Sequence, residues 1–392
     1  MRPQRLRESL DNGSFPPVTS TADWLLDEAT TENLQTHGFE RKAFDGHRDR
    51  LRSGLAGPES NRIHGVVTAP KDSDLMDLPA EGTPEREALT TKGNAAIAAG
   101  QVGAVILAGG MATRFGGVVK AGVEAVQGLS FLEVKVRDIG AAAERAGGTV
   151  PLFPMTSFAT HDEVVRLSEK AATERTPITC FSQGISLRMD EEGELFRNED
   201  GTVSPYAPGH GDLPSALRRA GVLDSFLESG GRILFMSNVD NLTATLDPAV
   251  IGAHIEGGKP MTAEMAPKWP GDKGGAPAFV DGDLQIVEAF RFPEDFDQDS
   301  IPVFNTNTLV FDAERLREPF PFDFFAVRKQ VEGRTAIQFE RLVGQISAFM
   351  PCTFLKVRRD GSDARFQPVK DPAELERRTE EIVTALEARG IL

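Results

Sequence analysis

Apolar strands alternating with amphipathic helical segments from Val102 onward predict an α/β fold built on a mostly parallel, doubly wound sheet. Two local features support that class. The run Val105-Ile-Leu-Ala-Gly-Gly-Met-Ala-Thr-Arg-Phe-Gly116, with Lys120 just beyond, is an apolar strand that empties into a glycine-rich turn carrying cations. Such turns bring backbone N–H groups against phosphate oxygens. Further on, Ser237-Asn-Val-Asp-Asn241 sets an acid and two amides directly after the apolar run Ile233-Leu-Phe-Met236, at the strand end where open α/β sheets bind ligands.

The first hundred residues are charged and poor in β-branched runs. A helix-like segment at Ala22 to Leu34 and a Pro/Gly/Asp-rich stretch from Gly57 to Thr83 read as a helical preamble with an extended connection. A helix pattern over Arg86 to Ala99 feeds the first strand, Val102 to Ala108. Strands are then expected at Val150–Met155, Ile178–Phe181, Arg232–Met236, Met261–Ala266 and Thr308–Phe311, and helices at Phe131–Arg145, Asp162–Ala172, Pro214–Glu228 and Pro248–Ile255. Asp281-Gly282-Asp283 between alternating runs predicts a hairpin over 276–288. A phenylalanine-rich loop, a helix near Thr335–Phe349, a strand at Thr353–Val357 and a last helix from Pro372 to Arg389 complete the chain. The expected organisation is a helical region over 1–100, a nucleotide-handling domain over 101–330 and a small carboxyl-terminal α/β part over 331–392.

With 392 residues, 40% of them hydrophobic, the chain is long enough to bury a substantial core, and no apolar run reaches the length of a membrane span. The first residues carry charge with no apolar stretch behind them, so a cytoplasmic protein is expected, with no membrane partner. Cys180 and Cys352, each in a strand-like apolar context, read as buried reduced thiols and cannot build a zinc site. A formal net charge of −16 with no basic cluster argues against nucleic acid. A triphosphate is compatible with it, because local cations and a bound metal set the potential of a cleft. Either a monomer or a homodimer fits this composition.

The glycine-rich turn is neither common nucleotide motif. Gly116 is followed by Gly117 and Val118 where a P-loop needs Lys-Ser/Thr, and Gly109 and Gly110 are adjacent where a dinucleotide fingerprint needs Gly-x-Gly. Asp240 at a strand end suits Mg²⁺, which takes one or two carboxylates and phosphate oxygens. An Asx turn is the plain alternative there. Pro205-Tyr-Ala-Pro-Gly-His-Gly-Asp212 is a rigid loop whose histidine alone would read as a helix cap. Phe304-Asn-Thr-Asn-Thr308 offers paired amides for sugar hydroxyls, and Lys273-Gly-Gly275 a turn that permits close backbone approach. In Arg365-Phe-Gln-Pro-Val-Lys-Asp371 the lysine by itself would be an ordinary surface charge.

Taken in order, these segments, with Pro151-Leu-Phe-Pro-Met-Thr-Ser-Phe158 and Phe181-Ser-Gln183, resemble the motifs of the UTP–glucose-1-phosphate uridylyltransferase family from about Val102 to Asp371. The leader Gly93-Asn-Ala-Ala-Ile-Ala-Ala-Gly-Gln-Val102 is closer to the related UDP-N-acetylhexosamine pyrophosphorylases. The resemblance implies a Rossmann-like nucleotide-diphospho-sugar transferase fold and formation of UDP-glucose and pyrophosphate from UTP and glucose 1-phosphate, with Mg²⁺. It implies that Leu107, Ala108, Gly109 and Gly110 hold the nucleotide with Arg114, that Lys120 and Lys370 meet the reacting phosphates, and that Gln183 and Gly209 read the uracil. His210 would face the sugar phosphate, Asn238 the nucleotide-sugar junction, and Asp240 the metal, while Gly275, Glu288, Asn305 and Asn307 would border the hexose.

Three departures accompany the resemblance: Ala112 stands where the family has glycine, Val118-Val119 precede Lys120 where it has Gly-Pro, and the chain leaves no room after Lys370 for the β-helix of many eukaryotic members. Another sugar 1-phosphate, N-acetylglucosamine or galactose, is the nearest alternative. A weakly catalytic UDP-sugar sensor is the other.

Overall fold

The computed structural model describes residues 26–112, 115–272 and 274–392. Its centre is an eight-stranded sheet: β1 (Met76–Asp77), β2 (Val102–Leu107), β3 (Leu152–Thr156), β4 (Phe181–Ser182), β5 (Ile233–Asn238), β6 (Met261–Pro267), β7 (Val303–Asp312) and β8 (Cys352–Lys356). The spatial order is β1-β8-β6-β7-β5-β2-β3-β4, and every neighbouring pair is parallel except the two that β7 makes. From β2 the chain winds outward to β3 and β4, then returns to β5 on the other flank of β2. The topological switch point therefore lies between β2 and β5, where Leu107 and Asn238 stand opposite each other.

Nine α-helices are described: α1 (Glu28–Thr36), α2 (Arg41–Arg52), α3 (Pro84–Ala98), α4 (Phe131–Ala146), α5 (His161–Ala171), α6 (Leu213–Arg219), α7 (Val222–Glu228), α8 (Pro248–Gly257) and α9 (Pro372–Ala388). Successive residues of a strand point to opposite faces. Accordingly Ala104, Ile106, Ile233 and Phe235 join the core under α3, α4, α8 and α9, while Val105, Leu234 and Met236 join the core under α6, α7 and the 276–287 hairpin. Burial on both faces explains why these strands are continuous apolar runs. A third core packs α1 and α2 against Ile185, Leu187, Met189 and the strand residues Ala326, Ile337 and Phe339.

Several sequence expectations change. The helix expected near Thr335–Phe349 is instead a strand, Arg334–Glu340, paired with Phe325–Val331, followed by a 3-10 turn over Val343–Ala348. Glu332 and Gly333, at φ 48° and 75°, form the tight turn between the strands, and Ala336, Ile337 and Phe339 are buried in a half-alternating pattern that mimics a helical stripe. The hairpin runs across the expected boundary at 330/331, and β8 belongs to the central sheet. The helix expected over 214–228 is two, because Gly221 adopts φ 69°. The strand expected at Thr308–Phe311 extends back to Val303 and runs antiparallel. Of the first expected helix, only the part from residue 26 onward lies within the described residues. Cys352 is buried as expected and Cys180 is half-buried, both as free thiols. Among the described residues no helix is long and apolar enough to cross a membrane.

Helices α3 and α8 cross in closer contact than a Cβ allows. A methyl group at Gly93 would lie 1.8 Å from the Pro248 carbonyl oxygen, and one at Gly252 would lie 1.9 Å from that of Leu89. Alanine in a helix interior normally stabilises by about 1 kcal/mol over glycine. Here Gly93→Ala or Gly252→Ala is expected to destabilise the protein by about 3 kcal/mol, as overpacking against backbone does; a denaturant midpoint at or above that of the parent chain would contradict the crossing.

Candidate functional site

Every sequence-proposed site residue within the described chain lies at or beyond the carboxyl edge of the central sheet, or on a loop folded over it. The antiparallel sense of β7 contributes: its amino-terminal half, with Asn305 and Asn307, arrives at the same edge as the carboxyl ends of β2 and β5.

At the switch point β2 ends in Leu107, whose carbonyl accepts from Val239 N at 3.3 Å. Ala108 N donates to the Met155 carbonyl at 2.8 Å, and the Gly109 carbonyl accepts from Ser157 Oγ at 2.9 Å, so the turn is bolted to the end of β3. A Cβ on Gly109 would lie 2.4 Å from the Gln183 amide nitrogen, so a side chain there would displace that amide. Gln183 is buried and its Oε1 has no partner, leaving a desolvated acceptor available to a ligand donor. Gly110 is exposed. The chain then forms a short pairing of Met111–Ala112 with Val118–Val119. Ala112 is thus extended, and among the described residues of this loop the positive φ values fall at Gly116 (86°) and Gly117 (79°), so alanine brings no left-handed strain. Arg114 lies outside the described residues, as does Lys273.

Lys120 follows on a 3-10 turn. Its Nζ donates to Asp240 Oδ2 at 2.8 Å and to the Val369 carbonyl oxygen, and sits 5.8 Å and 5.9 Å from the ring centres of Phe115 and Phe131. Asp240, three residues from Ser237 of β5, is itself held by Val369 N donating to its carbonyl at 3.0 Å. Lys370 is exposed on the next position of that arm. Asn238, at the end of β5, accepts from Asn307 Nδ2 at 3.0 Å; Asn307 adopts φ 60°, and its N–H is held by Asn305 Oδ1 at 3.0 Å. Asn305 N donates to the Gly275 carbonyl at 2.7 Å, and a Cβ on Gly275 would touch the Glu288 carboxylate at 3.0 Å. Burial raises the Glu288 pKa, with only partial relief from Arg291.

Gly209 and His210 form the other wall. Gly209 has φ 93°, and a Cβ there would meet the Arg341 carbonyl oxygen at 2.6 Å, so this position requires glycine twice over. His210 Nδ1 accepts from Val343 N at 3.1 Å, which assigns the ring proton to Nε2. Burial pushes the imidazole pKa down to about 4, so His210 is neutral at pH 7 and presents a hydrogen-bond donor rather than a cation. The 3-10 turn at 343 ties the walls together: Val343 holds His210, and Gly344 faces Glu288, whose Oε1 would lie 3.6 Å from a Cβ there.

Sequence reasoning missed the residues that hold these parts. Asp212, fully buried, is ion-paired with Arg341 and with Arg219 at 3.4 Å, and accepts from Gly184 N, fixing the 208–212 loop against the Gln183 segment. Arg341 also reaches Glu40 at the start of α2, at 3.3 Å. Asn241 Nδ2 donates to the Arg365 carbonyl at 3.1 Å and its Oδ1 accepts from Gln367 N at 3.0 Å, joining the Asp240 loop to the carboxyl-terminal arm. Lys135, buried on α4, donates to Ser237 Oγ and to the carbonyls of Asn241 and Ala244. Charges in otherwise apolar stretches, such as Lys135 in Phe-Leu-Glu-Val-Lys-Val, were the available signal.

The family described as UTP–glucose-1-phosphate uridylyltransferase matches residues 68–382. The chain is 30% identical to the UTP–glucose-1-phosphate uridylyltransferase of Solanum tuberosum over 287 residues, which are 69% of this chain and 59% of that protein. It is 27% identical to the Musa acuminata enzyme over 89% of this chain and 76% of the relative. The chain thus spans about three-fifths of the length of the first of these relatives. Its fold is that of the UDP-N-acetylglucosamine pyrophosphorylase of Trypanosoma brucei (TM-score 0.69, 21% identity, 96% of this chain and 88% of that one) and of UDP-glucose phosphorylase from the same organism (TM-score 0.66, 23% identity, 88% and 76%).

Gly209→Ala tests the wall that the loop forms. It is expected to destabilise the protein by about 1–3 kcal/mol, read by denaturant titration; an unchanged midpoint would contradict the close approach of this loop to the Arg341 carbonyl.

Proposed function

Because the chain belongs to the UTP–glucose-1-phosphate uridylyltransferase family, we propose that it forms UDP-glucose and pyrophosphate from UTP and glucose 1-phosphate. The observation that most supports this reading is the convergence of Lys120, Asp240 and the Lys370 arm at the switch point, with a desolvated amide, Gln183, on one side and the Asn238–Asn307–Asn305 amides on the other. A site that transfers a nucleotidyl group must align two polyanions and neutralise charge that grows on the leaving group.

In the reaction, an oxygen of the sugar phosphate attacks the α-phosphorus of UTP in line, the new P–O bond forms, and the bond to the β-phosphate oxygen breaks with its electron pair leaving on pyrophosphate. No proton has to move, which suits a site whose histidine is neutral and whose working groups are cations. Gly109 and Gly110 present backbone to the phosphates, while Gln183 and the Gly209 loop receive the base. His210 donates from Nε2 to the sugar phosphate. Glu288, Gly275, Asn305 and Asn307 border the hexose, a raised-pKa carboxyl and amides being suited to hydroxyl groups. Lys120 exchanges its bonds to Asp240 and Val369 for phosphate oxygens, and Lys370 approaches from the arm.

Mg²⁺ fits the donor set. Asp240 would supply one carboxylate, beside nucleotide phosphates and water, as is usual for this ion. When bound, the ion would neutralise phosphate charge. A cytoplasmic setting accords with the reading.

The test is pyrophosphate release with Mg²⁺ and UTP against a panel of sugar 1-phosphates. Glucose 1-phosphate should be preferred; preference for N-acetylglucosamine 1-phosphate or galactose 1-phosphate would move the reading to those sugars, and UDP-sugar binding without release to a sensor. Lys370→Ala should lower kcat by about 10² while UDP-glucose affinity stays within a few-fold, and equal loss of both would contradict a role confined to the reacting phosphates.

A further inference from the structure

We propose that Arg359 is a positioning residue that clasps the hexose-side turn to the arm carrying Lys370, so that sugar 1-phosphate binding and the placement of that lysine are coupled; this rests on the uridylyltransferase reading. Arg359 follows β8 and is 4% exposed, a charge that has to be satisfied by its neighbours. Its guanidinium forms a two-pronged ion pair with Asp272, one bond measuring 3.2 Å, and donates to the Pro267 carbonyl at 3.0 Å. It stacks 3.8 Å from the Trp269 ring centre, with Phe304 at 5.0 Å and Phe366 at 5.4 Å. Three aromatic faces and a carboxylate fork around one guanidinium define both its position and its plane.

The partners come from the two sides that catalysis has to join. Trp269 to Asp272 is the tight turn leading to Gly275: Asp272 N donates to the Trp269 carbonyl at 3.0 Å, and the Asp272 carboxylate accepts from Trp269 N at 2.8 Å. Phe304 immediately precedes Asn305. On the other side, the Arg359 carbonyl accepts from Gln367 Nε2 at 3.1 Å, and Gln367 N is bound to Asn241 beside Asp240. Phe366 and Lys370 lie on the same arm, and the charge of Lys370 is within electrostatic reach of Asp272. Arg359 thus touches the turn before Gly275 with its head and the lysine arm with its backbone. Lysine cannot substitute, since a point charge on a flexible stem supplies neither the fork nor the stacking plane.

Trp269 is one of two tryptophans, is 43% exposed, and reports the clasp directly. In a Trp24→Phe background, its emission should change on addition of glucose 1-phosphate or UDP-glucose, and Arg359→Lys should abolish that change. In the steady state, Arg359→Lys should raise the KM for glucose 1-phosphate at least tenfold and lower kcat, with the KM for UTP within twofold. Asp272→Asn should act in the same direction, and the double variant should be no worse than the poorer single one, as groups acting as a unit are. Equal shifts in both KM values, or a lowered melting temperature with neither KM nor emission altered, would overturn the proposal. Turnover absent from the parent chain would count against the uridylyltransferase reading instead, and the emission change with UDP-glucose would still decide the clasp.

Discussion

Asn241 closes the seam on which the site depends. Its amide behaves like a short piece of strand, donating to the Arg365 carbonyl and accepting from Gln367 N, so the loop after β5 and the carboxyl-terminal arm pair through one side chain. The bridge between Asn241 and Pro368, and the bond from Val369 N to the Asp240 carbonyl, continue that pairing toward Lys370. Without Asn241 two buried backbone groups would lose their partners, at about 1–3 kcal/mol each. The seam is therefore specific in register as well as cohesive.

Beneath it lies a layer of buried charge held by ion pairs and by hydrogen bonds to backbone. Arg365, 1% exposed, binds Glu264 at 2.6 Å and reaches Asp247 at 3.5 Å, while its guanidinium also donates to the Thr245 carbonyl at 2.9 Å. Lys135 uses its three protons on Ser237 and on the carbonyls of Asn241 and Ala244, and Asp138 accepts from Leu246 N. Burial lowers the Lys135 pKa to about 8 and raises that of Asp138 to about 6 against their mutual attraction. Breaking any one member would strand a charge in the core, which is costlier than the pair is stabilising. These residues are buried, yet they hold the loop on which Asp240 rides. The opposite wall uses the same device, with Asp212 and Arg341 pinning Gly209 and Gly211.

The fold was legible wherever a strand is buried on both faces and a helix carries a sharp cap. Val102–Leu107, Ile233–Asn238 and the Ser130-capped helix at Phe131 match their expected positions within a residue or two. The 334–340 strand was misread because one face packs on α2 and the other is partly covered, giving an apolar stripe without clean alternation. In the site, Gly109, Asp240 and Asn305 could be singled out because each stands in a short local pattern, a glycine pair after an apolar strand, an acid between amides after a strand, and paired amides, although their partners are distant in sequence. Arg341 and Arg359 could not, and Asn241 was read only as an amide of its loop, since their partners lie 129, 87 and 126 residues away, in Asp212, Asp272 and Gln367. Periodicity and local chemistry carry no information on such pairings.

The seam is tested most directly by comparing turnover and UDP-glucose affinity in Asn241→Ala, at a temperature where denaturant titration shows the variant folded. If the join places Lys370 and Asp240 for the transferring phosphate, kcat falls by about 10² while the dissociation constant for UDP-glucose changes by less than about fivefold. An unchanged kcat, or affinity and turnover lost in equal proportion, would show that the arm does not depend on Asn241 for its place in the site.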